Sequence, residues 1–381
     1  MKASYVIIGA GISGCSIAYH LAKKGVKDIV VVEKAYLTSG STGRCGAGVR
    51  QQWATKMNCL LGKGSVEFFE RANEELEYDR DIEFKQEGYL IVAANEEEDE
   101  QFAKNVILQK SLGIPAEKIT KEEAKKIVPH LNTDVIVSAT FCPTDGHLNP
   151  FKMNDAFYQA AKRLGVKFYF HEEVVGIVVK NNKIEKVITK NREIETHNVI
   201  NAAGGYAKEI GAMAGVDIPV YAEKHEILVT EPIEKIQGPM VMSFAKNLYC
   251  QQVPHGGFVM GRSNPDVQPN HCIESSWQFL DEMAKTVCEM LPLIGNLRVV
   301  RQWAGSYTMS PDRQPIIGDT DQLEGFYMAV GFSGHGFMFS PMTGLLLSEI
   351  ILKEKMTIDI TDLHIDRFKH QKVFEYEKSV V

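Results

Sequence analysis

Three glycines, Gly9, Gly11 and Gly14, follow a short apolar run in "VIIGAGISG". Their spacing suits the binding of a diphosphate. The first permits a tight turn, the second lets backbone approach the anion, and the third lets a helix pack closely on a strand. Glu33, 19 residues after Gly14, is an acid placed to accept from ribose hydroxyls. Its charge disfavours a 2′-phosphate on that ribose, which leaves NAD and FAD open.

The elements that must position these groups are legible on either side. Tyr5 to Ile8 suits a buried parallel strand, and Ile17, Ala18 and Leu21 share one helical face. Gly25 closes that helix, and a second strand from Ile29 to Val32 delivers Glu33. The order strand, helix, strand, acid is what gives the glycine spacing its meaning.

Glycine-rich segments recur. "GSTGRCGAGVRQQW" (40–53) carries Ser41, Thr42 and Arg44. "VINAAGG" (199–205) ends an alternating, strand-rich stretch that contains an "NNK" turn at 181–183. "GFSGHGF" (331–337) sets His335 among Gly331, Gly334 and Gly336. Segments this far apart suggest one long ligand that touches them all, and FAD is such a ligand; glycines that serve only as turn formers are the alternative.

Composition narrows the class. The chain has 381 residues, which suggests two domains or one large core with an insertion. It is 44% hydrophobic and 24% charged, as in ordinary globular proteins. A net charge of −7 argues against nucleic acid as a main partner. No apolar stretch is long enough to span a bilayer, and no export signal precedes the first glycine loop, so a cytoplasmic location is expected. Seven scattered cysteines without a C-x-x-C pair suit a reducing compartment, predict free buried thiols and offer no metal ligand set. "NEEEDEQF" and "TKEEAKKIV" read as solvated helix starts, the second with Thr120 as N-cap and Glu123 three residues on.

Taken in order, "VIIGAGISG", "GSTGRCG", "VINAAGGYA", "SPDRQPIIG" and "GFSGHGF" resemble the D-amino-acid-oxidase-type FAD oxidoreductases over nearly the whole chain. "GSTGRCGAGVRQQW", "PTDGHLNP", "HEILVTEP" and "GFSGHGFMFSP" are most similar to the β subunits of L-proline dehydrogenases and heteromeric sarcosine oxidases. The resemblance implies an α/β (α+β overall) fold with a Rossmann-like FAD-binding domain from 1–80, 146–222 and 318–381. A second, mixed-sheet substrate domain would come from 81–145 and 223–317. It also implies cofactor contacts. Gly9, Gly11, Ile12, Ser13 and Gly14 would hold the pyrophosphate, with Glu33 and Lys34 at the adenosine. Ser41, Thr42, Arg44, Cys45 and Gly46 would line the flavin side. Val174 would meet adenine, while Ala203, Gly204 and Tyr206 would follow the central strand. Gly331, Phe332, Gly334, His335, Gly336 and Phe337 would lie beside the isoalloxazine.

Departures from the family pattern matter as much. Gly305 stands where covalent sarcosine oxidases carry a flavin-linking Cys, so FAD is expected without a covalent bond. Val259 and Met338 stand where those oxidases have lysines, which implies a weak reaction with oxygen. Tyr307 replaces the Arg that anchors the substrate carboxylate in glycine-oxidase-like members.

The reaction the family implies is two-electron oxidation of an amine, with hydride passing to flavin N5 and the imine hydrolysing. An amino-acid substrate needs a cation for its carboxylate. Arg50 is the first candidate and Arg301, beside Trp303, the second; a structural salt bridge and a domain-interface role are their alternatives. His225 begins a β-rich run from which it would reach substrate, unless it is a core histidine. Tyr249 and Trp303 are candidate pocket walls. The candidate catalytic set is Arg50, His225, Tyr249, Trp303, Tyr307 and His335. Three functions stay open: a secondary-amino-acid dehydrogenase passing electrons to an α subunit with further redox centres, a stand-alone oxidase releasing hydrogen peroxide, and a flavin-carrying subunit without amine turnover.

Overall fold

The structure is a computed structural model that describes residues 1–264, 270–369 and 376–379. Tyr5–Ile8, Ile29–Val32, Lys167–Tyr169, Val199–Asn201 and Phe326–Val330 pair in parallel, and Ile316–Gly318 adds an antiparallel edge. The inner strands of this six-stranded sheet are almost continuously apolar because both faces are covered, whereas the edge strand Lys167–Tyr169 is partly exposed. Ile7, Val31 and Ile200 point into one core, among Ile17, Leu21, Phe157 and Leu346 of three helices. Val6, Ile8, Val30, Val32 and Val199 point into another, against Val174, Ile184 and Val187 of a three-stranded antiparallel sheet. Each such side chain contributes about 1.5–3 kcal/mol by leaving water.

The first helix runs Ile12–Lys23 and stops as expected. Gly25 has φ +91°, and the N–H of Val26 donates to the Leu21 carbonyl at 3.1 Å, a Schellman closure. The "NNK" turn joins Val174–Lys180 to Lys183–Thr189 with Asn181 and Asn182 both at positive φ, the geometry of a tight hairpin. Thr120 and Glu123 form the expected capping box on Lys121–Ile127.

An eight-stranded mixed sheet stands beside the first. Its strands, in spatial order, are Val299–Met309, Tyr221–Thr230, Phe258–Ser263, Leu248–Gln252, Met240–Ser243, Tyr89–Ala93, Ser138–Cys142 and Glu117–Thr120. Only the pair of Met240–Ser243 with Tyr89–Ala93 is parallel. Period-2 alternation sorts its side chains. Leu90, Val92, Leu228 and Val241 pack on one side with Phe279, Met283 and Val287 of the helix Trp277–Met290. Tyr89, Ile91, Met240, Met242 and Tyr249 form the opposite face. All seven cysteines are free; five are wholly or partly buried, whereas Cys272 and Cys288 are exposed, which departs from the expected burial at those two. Among the described residues no helix is long and apolar enough to cross a membrane.

Candidate active site

The first glycine loop is built for close approach. Gly9 has φ +108°, and a Cβ on it would lie 2.5 Å from the Ala202 carbonyl oxygen. A Cβ on Gly14 would lie 2.0 Å from the Gly9 oxygen, so helix and strand meet here only because both residues lack one. Gly11 is the N-cap of the helix and supplies no side-chain cap. The Ile12 N–H donates to Thr42 Oγ1 at 3.0 Å, while Ser13 is half-buried in the uncapped first turn. A helix N-terminus whose N-cap is a glycine, with only the Thr42 hydroxyl 3.3 Å from where a Cβ on Gly11 would lie, fits a diphosphate.

The neighbouring residues also fit a dinucleotide. The Glu33 carboxylate accepts from Ala10 N at 3.0 Å, Ala35 N at 2.9 Å and Ser39 Oγ at 3.3 Å. Lys34 holds its ammonium 3.1 Å from the centre of the Tyr206 ring, which stacks on His271. Val174 is buried against the sheet, and Ala203 and Gly204 continue from the central strand. Ser41 donates to the Ser306 carbonyl, Arg44 to the Ala304 carbonyl, and Cys45 to the Thr42 carbonyl. The 41–46 loop is thereby tied to the edge strand of the eight-stranded sheet. Gly305 lies in that strand, where a Cβ would meet Arg44, and it offers no thiol.

Two cavities adjoin at Cys45 and Gly46, which line both. The smaller, about 60 Å³, is walled by Arg50, Tyr89, Met240, Met242, Tyr249 and Tyr307, with Gly334, His335, Phe337 and Met338 from the terminal glycine loop. That loop needs its glycines. Gly334 has φ +92°, and a Cβ there would strike the Tyr307 ring at 2.5 Å. Gly331 has φ +69° and packs near Ser310 and Val220, Gly336 packs on the Phe332 side chain, and Phe332 is half-buried against the core.

The larger cavity, about 660 Å³, has Arg44, Phe151, Val259, Arg301 and Trp303 among its lining residues. Arg301 and Trp303 therefore face this space and not the one that holds Arg50. Trp303 Nε1 donates to the Arg44 carbonyl at 3.0 Å. Val259 lines the larger cavity and Met338 the smaller, and neither lining includes a lysine.

Arg50 is 2% exposed. Its Nη1 donates to the Gln52 carbonyl at 2.8 Å and its Nη2 to the Ser379 carbonyl, while Nε is buried without a partner. The guanidinium lies 3.6 Å from the centre of the Trp53 ring. No carboxylate among the described residues forms an ion pair with it, so the salt-bridge alternative finds no partner there. Burial lowers its pKa, with Tyr89, Glu377 and Asp145 opposing that from a distance. A buried cation with only carbonyl acceptors and a vacant N–H is costly unless an anion completes it.

His335 is buried, its Nδ1 lacks a partner, and burial together with Arg50 and Arg313 holds its pKa well below the usual range. It is a neutral imidazole. His225 is also neutral, pushed down to about 3 by burial. Its ring stacks 4.2 Å from Tyr307 and 5.7 Å from Tyr249. The two tyrosines line the smaller cavity, and His225, stacked between them, is not part of its lining. Asp145, fully buried, accepts from Gln51 N at 2.8 Å and from the side chains of Gln51 and Gln52, and burial raises it to about 6.

Tyr89, Met240 and Met242 also wall the smaller cavity, although no motif contains them. Tyr89 stands at the start of the apolar "YLIVA" run, where alternation puts it on the same face as Ile91, but no local feature marks that face as a cavity wall.

Residues 4–350 match the family described as FAD dependent oxidoreductase. The chain belongs to that family. Among solved structures it is similar to L-proline dehydrogenase from P. horikoshii, with 38% identity and a TM-score of 0.92 over 97% of this chain and 98% of that one. It is 26% identical to sarcosine oxidase subunit beta of Rhodobacter capsulatus, over 91% of this chain and 84% of the relative. It is also 26% identical to mitochondrial dimethylglycine dehydrogenase of Rattus norvegicus, over 99% of this chain and 46% of the relative. The chain thus spans about half the length of that dehydrogenase. The likeness to glycine oxidase from Geobacillus kaustophilus, at 22% identity and a TM-score of 0.88, speaks to fold alone.

Proposed function

We propose that the chain oxidises a secondary amino acid of the proline, hydroxyproline or sarcosine type, and that its smaller cavity receives the substrate. The observation that carries this reading is Arg50, a buried guanidinium on the cavity wall with no carboxylate partner among the described residues. Its planar donor set suits bidentate capture of an α-carboxylate. Met240, Met242, Phe337 and Met338 supply apolar walls suited to a small aliphatic ring or methyl group. FAD, held by the glycine segments and Glu33, supplies the two-electron acceptor when bound.

The protein's own part is to bind, orient and exclude water. A substrate ammonium entering beside Arg50 and apolar walls is destabilised in its charged form, so the amine sheds its proton without a strong base. Neutral His335 is available there as an acceptor at Nδ1. Tyr249 and Tyr307, braced through His225, fix the cavity width. We place the FAD-binding part in 1–80, 146–222 and 318–381 and the substrate part in 81–145 and 223–317; 265–269, 370–375 and 380–381 lie outside the described residues.

Similarity to an L-proline dehydrogenase and to a sarcosine oxidase β subunit supports both the substrate class and a partner α subunit as electron acceptor. The absence of lysine from both cavity linings favours this over the oxidase reading. The test is an anaerobic titration of the FAD-loaded chain with L-proline, hydroxyproline, sarcosine and glycine, followed near 450 nm. Rapid bleaching by a secondary amine, slowly reversed in air and with little peroxide, is expected. Bleaching that air reverses at once identifies the oxidase instead, and no bleaching by any of the four sinks the substrate assignment.

A further inference from the structure

Residues 376–379 cross the back of Arg50 and connect it to a helix that carries no candidate catalytic side chain. Glu377 is fully buried. Its carboxylate accepts from Ala54 N and Thr55 N at 3.2 Å, from Thr55 Oγ1 and Asn58 Nδ2 at 3.0 Å, and from Ser379 N at 2.8 Å. Thr55 is the N-cap of the helix Lys56–Phe69, so the carboxylate occupies that helix's positive end. The Glu377 N–H donates to the Asp312 carbonyl at 3.3 Å, and Asp312 is itself clamped by buried Arg367 at 2.8 and 3.1 Å. Glu377 is thus fixed from two sides. Two residues on, the Ser379 carbonyl accepts from Arg50 Nη2.

Two hydrogen bonds orient the guanidinium, one to the Gln52 carbonyl and one to the Ser379 carbonyl, and its central carbon lies 3.6 Å from the centre of the Trp53 ring and 5.7 Å from that of Phe244. Gln52 and Trp53 are near neighbours of Arg50 in the chain. Of the two hydrogen bonds, the one to Ser379 arrives from elsewhere, 329 positions along the chain. We propose that Glu377 is a positioning residue for the substrate-binding arginine: by seating residues 376–379 on the helix it holds the Ser379 carbonyl against Nη2, and this aims the remaining N–H groups into the smaller cavity. The inference rests on the reading of Arg50 as the carboxylate anchor.

The experiment measures binding of tetrahydro-2-furoate, a five-ring carboxylate with ring oxygen in place of the oxidisable nitrogen, by isothermal titration to the FAD-loaded chain. The variants are Glu377→Ala, Glu377→Gln, Arg50→Met and, as a control for lost stability, Thr120→Ala, which removes a distant exposed helix cap. Losing one hydrogen bond to a charged group is expected to raise Kd about tenfold in Glu377→Ala. Glu377→Gln, which keeps one acceptor oxygen, should fall between it and wild type. Thr120→Ala should leave Kd unmoved although its thermal midpoint drops, and Arg50→Met should abolish binding. If Arg50→Met abolishes binding but both Glu377 variants stay within twofold of wild type, Glu377 merely caps a helix and the inference fails. If Arg50→Met itself leaves Kd unchanged, the anchor reading fails and takes the inference with it. Should Glu377→Ala not fold, Glu377→Gln carries the same criterion.

Discussion

Replacing Gly334 by Ala tests whether the terminal glycine loop is shaped by the cavity it closes. At φ +92° a Cβ is strained in its own backbone, at a cost of about 1–2 kcal/mol. The new carbon also lies 2.5, 2.9 and 3.0 Å from three atoms of the Tyr307 ring, well inside contact distance. That ring cannot retreat freely, because His225 stacks 4.2 Å away and Tyr249 follows behind it. Overpacking of this kind costs about 1–3 kcal/mol, so the two effects together destabilise by about 2–5 kcal/mol. Gly336→Ala is the matched control. Its nearest contact is the Phe332 side chain at 3.2 Å, and its φ lies outside the left-handed region. Part of its cost is offset by about 0.4–1 kcal/mol of lost unfolded-chain freedom. Urea unfolding of both flavin-loaded variants, with tetrahydro-2-furoate binding as second readout, decides the matter. Gly334→Ala should lose at least twice as much stability and bind the carboxylate more weakly. Equal losses, or a neutral Gly334→Ala, would refute the claim that Tyr307 and this loop are interlocked.

Gly14→Ala should abolish flavin retention, since the new Cβ would sit 2.0 Å from the Gly9 oxygen and drive the helix off the strand; flavin absorbance after dialysis reads this directly. Asp145 gives a pH signature. Its folded pKa of about 6 lies above the usual carboxylate value near 3.9, so its contribution is fully present below about pH 4 and is lost as pH rises through 6. The loss is on the order of 2–3 kcal/mol, and denaturation of Asp145→Asn from pH 4 to 7 should lack that slope although its overall stability is lower. Met338→Lys should raise the rate of peroxide formation by placing a cation on the cavity wall, as a peroxidase-coupled assay would register.

What was legible in the sequence was local. The glycine loop, its helix and Glu33 lie within about thirty contiguous residues whose spacing carries its own physical meaning, and the hairpin at Asn181 and Asn182 and the Thr120 cap are likewise short-range. Face-to-face relations across a sheet were not legible. Alternation places His225 on one side of its strand, but only the neighbouring strands reveal that Tyr307 and Tyr249 enclose it. Met240, Met242 and Tyr89 meet through the single parallel pairing of their sheet, which joins segments some 150 residues apart. Arg50 is a candidate in the sequence because it follows the second glycine-rich segment. Its second acceptor, the Ser379 carbonyl, had no sequence signal at all.

Everything proposed for the smaller cavity turns on whether Arg50 binds a substrate carboxylate. The most direct test compares L-proline with pyrrolidine, the same ring without its carboxylate, in anaerobic flavin reduction by wild type and Arg50→Met. Two hydrogen bonds to a charged group, each about 1.5–3 kcal/mol, give wild type a preference for proline of at least about a hundredfold. Arg50→Met should lose this preference while its slower reduction by pyrrolidine is little changed. A variant that still prefers proline as strongly as wild type does would contradict it.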